Sequence, residues 1–74
     1  MFSFEKELDT AETLADCCNA YQNEFIRIQN IQGWAAAVTA KYNLRYEAAL
    51  RYVGLRPEVL QEYNSVEDVM QLIS

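Results

Sequence analysis

Histidine is absent from all 74 residues, and that one absence removes the usual general base, the nucleophile–histidine pair and the commonest metal ligand together. Proline occurs once and glycine twice, which leaves little room for long loops and none for a glycine-rich phosphate cradle. Strand signals are missing: there is no alternating β-branched run and no Asn-Gly or Asp-Gly hairpin turn. The longest unbroken apolar run, Trp34 to Val38, is five residues, too short for a membrane span. The start Met1-Phe2-Ser3-Phe4-Glu5-Lys6-Glu7 has neither the basic opening nor the apolar core of a signal peptide. Cys17 and Cys18 are adjacent within an apparently helical stretch, a geometry that does not permit a bridge between them. The other ligands of a zinc site are also lacking. The sequence therefore predicts no metal, no cofactor and no enzymatic chemistry, and two reduced thiols in a cytoplasmic protein.

What is present is globular: 51% apolar and 23% charged residues. Residues 1–74 read as one helical domain. A chain this short buries only roughly 60% of its extended surface. A homodimer that completes the core is therefore expected.

Charge is unevenly spread. Residues 1–24 hold six acids and Lys6, residues 25–56 hold five basic groups and Glu47, and residues 57–74 hold four acids and no base. The net charge of −5 disfavours a nucleic-acid partner through the overall field, although a local basic face remains compatible with one.

The pattern predicts an all-α fold, a small bundle of four or five helices with one long N-terminal amphipathic helix. Asp9-Thr10-Ala11-Glu12 has the spacing of a capping box. Ala11, Leu14, Cys18, Tyr21, Phe25 and Ile28 then form one apolar stripe, with Glu12, Asp16, Asn19, Asn23, Arg27 and Asn30 on the opposite side. The stripe suits either an internal core or a dimer interface. Phe2 and Phe4 read as an arm that docks on the core. A break is expected at Asn30 to Gly33, then an alanine-rich helix from Trp34 to Tyr42 whose small residues admit a close neighbour. Asn43 reads as a stop or kink. A third helix is expected from Leu44 to Val53, with Tyr46, Ala49, Leu50 and Val53 inward and Gly54 as a left-handed cap. Pro57 suits the first turn of the next helix, and Ser65 the N-cap of a short last one bearing Val66, Val69, Met70 and Ile73.

Ala49 to Tyr63 has helix-turn-helix spacing, with Gly54 in the turn. The chemistry opposes a DNA role, because the second helix offers Glu58, Gln61 and Glu62 and no cation to phosphates. The carboxylate pairs Glu12 and Asp16, Glu58 and Glu62, and Glu67 and Asp68 fit solvated helix faces.

Lys41, Arg45, Ala48 and Tyr52 follow at steps of 4, 3 and 4, with Arg56 near the end of the line. The sequence places this line outward. Tyrosine and arginine are enriched in binding hot spots, so Lys41, Arg45, Tyr52 and Arg56 are the candidate contacts for a protein partner. The expected function is a non-enzymatic protein-interaction module, such as a small inhibitor or regulator of a larger, nucleic-acid-binding assembly. A helix-turn-helix transcriptional regulator is the alternative.

Overall fold

The computed structural model describes residues 3–74. It contains α1 (Phe4–Thr10), α2 (Leu14–Gln32), α3 (Trp34–Leu55), a 3-10 segment (Pro57–Gln61), α4 (Val66–Val69) and a final 3-10 turn (Met70–Leu72). Among the described residues there is no strand.

The central unit is the antiparallel hairpin of α2 and α3. Its hinge is Gly33, with φ +96° and ψ 167°. That region is essentially closed to residues with a Cβ, so glycine here is what lets 19- and 22-residue helices abut with no further linker. The buried face of α3 is small, with Ala37, Ala48 and Ala49 beside Leu44. Alanines at this contact let the two helices approach closely. α1 lies along α2, held by Asn23 and Arg27, which both donate to the Glu7 carboxylate. The C-terminal residues cover the second half of α3. Val69, Met70 and Ile73 are buried in the same core cluster as Leu8, Ala11, Cys17, Ala20, Tyr21 and Val59. The molecule is flat, 38 × 24 × 14 Å.

Several expectations are corrected. The capping box opens α2 one turn later than read. Thr13 Oγ1 accepts from Asp16 N at 3.1 Å, and Asp16 Oδ2 accepts from Thr13 N at 3.2 Å and from Glu12 N at 3.0 Å. Thr10 closes α1 instead, its hydroxyl donating back to the carbonyls of Lys6 and Glu7. Ser3 caps α1, a separate helix; Phe4 lies in it, half-buried against the core, and Phe2 is outside the described residues. Asn43 does not interrupt α3. It is exposed, where its lower helix propensity costs only tenths of a kcal/mol. Gly54 is helical, and α3 ends because Pro57 disfavours helical geometry at the residue before it; Arg56 is at φ −134°, ψ 74°. Pro57 opens a 3-10 segment rather than an α-helix. The Ser65 cap is present, with Oγ accepting from Asp68 N at 3.2 Å.

Candidate functional site

The line of residues read as an outward face is split by the structure. Ala48 is wholly buried, so the line runs over the inner side of α3. Arg45 is half-buried and serves the tail: Nε donates to the Ile73 carbonyl at 3.1 Å and Nη2 to the Met70 carbonyl at 2.7 Å. Tyr52 is half-buried and packs against the core. Arg56 is exposed and bonds Glu58 at 2.6 Å, an ion pair that holds the Glu58 carboxyl below its usual range. Lys41 alone is both exposed and without a hydrogen bond or ion pair among the described residues. The four do not form one exposed face, and an outward Arg45 and Tyr52 are corrected.

The arginines of the middle third are employed internally. Arg51 Nη2 donates to the carbonyls of Asp9 at 3.0 Å and Ala11 at 2.8 Å, closing the C-terminus of α1 onto α3. Its Nε is buried without a partner. Arg27 bridges Glu7 and Glu24. What reads as a basic region is thus largely a set of clamps between elements.

The α2 stripe faces inward within one chain. Tyr21 is buried, and Leu14, Cys18, Phe25 and Ile28 are half-buried against the core. The Tyr21 and Phe25 rings sit 6.5 Å apart at 49°, a tilted aromatic pair. Burial pushes the Tyr21 phenol up from its ordinary value. The two adjacent cysteines lie at different depths. Cys17 is fully buried, and burial raises its thiol pKa. Cys18 is half-buried and its Sγ donates to the Leu72 carbonyl at 3.4 Å. Among the described residues no group of three or more metal-ligating side chains is assembled, and no helix is long and apolar enough to cross a membrane.

The unexplained surface lies elsewhere. The C-terminal segment is anchored on α3 at Arg45, and several large apolar residues before that point are exposed. There Trp34 is 65% exposed, Val38 40% and Tyr42 57%. These residues are four apart and form one ridge. Tyr42 stacks on the half-buried Tyr46, with centroids 6.4 Å apart and planes at 18°. Next to the ridge, Tyr21, Gln22, Phe25, Ile26 and Lys41 line an open cleft of about 320 Å³, and Ile26 is 53% exposed. The cleft adjoins the C-terminal tail, since Tyr21 and Lys41 also border a hollow with Arg45, Ile73 and Ser74. Sequence reasoning missed this ridge because it assigned the alanine-rich stretch wholly to a helix contact. The signal was present in the spacing of Trp34, Val38 and Tyr42.

Charge follows the same division. Residues 25–46 carry Arg27, Lys41 and Arg45 and no carboxylate, whereas the rest of the chain carries all eleven carboxylates against three cations. No protein-family model, curated protein or solved structure matches the chain.

Proposed function

We propose that this protein is a non-enzymatic protein-interaction module whose docking surface is the first half of α3, and that it works as a homodimer in the cytoplasm, as an inhibitor or regulator of a larger assembly. The exposed ridge of Trp34, Val38 and Tyr42 carries the reading. Large apolar side chains clustered on a small protein's surface mark interaction sites, and Trp and Tyr dominate binding energetics. The groups that suggested chemistry have structural work: Asp16 closes a cap, Glu58 pairs with Arg56, and both thiols lie within or against the core. The acidic remainder of the surface suits a partner that itself binds nucleic acid.

The helix-turn-helix alternative finds less support. The segment after the α3 turn is a five-residue 3-10 helix, about 10 Å long, and its exposed side chains include Glu58, Gln61 and Glu62. Such a segment presents carboxylates to phosphates and is too short to lie along a major groove.

The test uses the wild type and a Trp34→Ala/Tyr42→Ala variant as paired baits in host lysate. Proteins held by the wild type, whether on the ridge itself or on a pair assembled through it, are expected to be lost from the variant while its circular dichroism is unchanged. Identical capture by both would remove the ridge as the docking surface.

A further inference from the structure

We infer that the occupant of the α3 ridge is a second copy of this chain, packed antiparallel about a two-fold axis at Val38. The inference rests on the docking reading above and names the partner of that same surface. Three observations carry it.

The first is the order of side chains. Trp34, Val38 and Tyr42 read aromatic, aliphatic, aromatic, with the smallest in the centre. A two-fold operation on Val38 sets Val38 on its own copy and brings each Trp34 to the partner's Tyr42. This is the self-complementarity that an isologous interface requires. The flanking Ala35 and Thr39 are small and exposed, so the two helices can approach closely.

The second is charge. Each copy has a net charge of −5, so two copies repel over most of their surfaces. The stretch from residue 25 to residue 46 contains no carboxylate, and the one charge beside the ridge without a partner among the described residues is Lys41. Pairing here holds the two sets of carboxylates apart.

The third is area. Ile26, Trp34, Val38 and Tyr42 together leave roughly 450 Å² exposed, taking about 150–250 Å² for a fully exposed side chain of the larger kinds. With Ala35, Thr39 and the stem of Lys41, a pair that covers all of this surface removes at most about 1,200 Å² from water, the lower edge of what a specific interface buries.

Light scattering after gel filtration at about 100 µM, well above a micromolar Kd, is the first measurement. The wild type is expected at twice its 8.6 kDa mass. Val38→Glu is expected at the single mass with unchanged circular dichroism, because a half-exposed side chain is replaced and two carboxylates then meet on the axis. Trp34→Lys provides the same test at a second position if Val38→Glu unfolds. Val38→Cys is expected to form a disulfide-linked pair under mild oxidation, with the wild type as the control for Cys17 and Cys18. A wild type of single mass overturns the homodimer itself. If that monomer also sediments with anionic lipid vesicles, the ridge belongs to a bilayer surface instead. A wild-type pair that persists in both charge variants, or that Val38→Cys fails to link, keeps the dimer and overturns this seam.

Discussion

The guanidinium of Arg45 donates from Nε to the carbonyl oxygen of Ile73, 28 residues further along the chain, at 3.1 Å. The same group holds the Met70 carbonyl, so one side chain bonds two acceptors, one at each end of the final 3-10 turn. Hydrogen bonds from a charged donor contribute about 1.5–3 kcal/mol each in favourable settings. Arg45→Ala is expected to cost about 2 kcal/mol, since the site is half-exposed, and to lower Tm by roughly 8–16 °C. Arg45→Lys is expected to recover less than half of the loss, because an ammonium lacks the planar fork that reaches both carbonyls. Thermal unfolding by circular dichroism reads the order wild type, Lys, Ala. Equal melting of the three would remove the clamp from the stability of the fold.

The two glycines should respond to alanine with opposite signs. A Cβ at either position meets nothing within 4 Å, so backbone geometry alone decides. At Gly33 the φ of +96° makes Gly33→Ala cost about 1–3 kcal/mol. Gly54 is helical, and Gly54→Ala is expected to add about 0.5–1 kcal/mol. Urea unfolding of both variants measures the two shifts. A destabilised Gly54→Ala would return that residue to a left-handed cap.

Acid should loosen the start of α2. The Asp16 carboxyl lies below its ordinary pKa, chiefly because it accepts the backbone N–H of Glu12, with Thr13 also contributing. A carboxyl depressed on folding adds stability above its unfolded value, about 3.9, and loses it as pH falls through the lower folded value. Tm should therefore drop on acidification below about pH 4, and the drop should be shallower in Asp16→Asn. Identical acid limbs for variant and wild type would exclude Asp16 as a contributor.

Thiol reactivity should distinguish two neighbours. Cys17 is fully buried with a raised pKa, and Cys18 is half-buried at the edge of the C-terminal segment. Alkylation near pH 8 is expected to label Cys18 first and Cys17 only on the timescale of unfolding. Fragment-ion mapping of the peptide resolves the two sites. Faster labelling at Cys17 would reverse their assigned environments.

The legible part of this fold was the part with contrast. In α2, apolar and polar residues alternate with helical period, so the stripe through Leu14, Tyr21, Phe25 and Ile28 declared its inner side. α3 lacks that contrast. Alanine, tyrosine, valine and leucine lie all round it, and hydrophobicity favours the larger residues. The buried positions are Ala37, Leu44, Ala48 and Ala49, because the helix that packs there comes close, while Leu50 is exposed. The rotation of α3 was therefore misread, and the candidate site with it. Arg45 and Tyr52 carried hot-spot chemistry in the sequence, but nothing local could show that Met70 and Ile73 would arrive to occupy Arg45. The ridge of Trp34, Val38 and Tyr42 lies on α3 ahead of Arg45, where the C-terminal segment is anchored.

The tail's contacts with α2 also give folding an order in time. Cys18 meets Leu72 across 54 positions and Gln22 meets Ser74 across 52, whereas α2 and α3 meet across a single glycine. Closing a long loop costs entropy that adjacent helices do not incur, and nonlocal contacts slow folding. The helical hairpin is expected to form early, in microseconds, and to wait for the tail. The barrier then belongs to a few C-terminal residues seeking a groove already built for them.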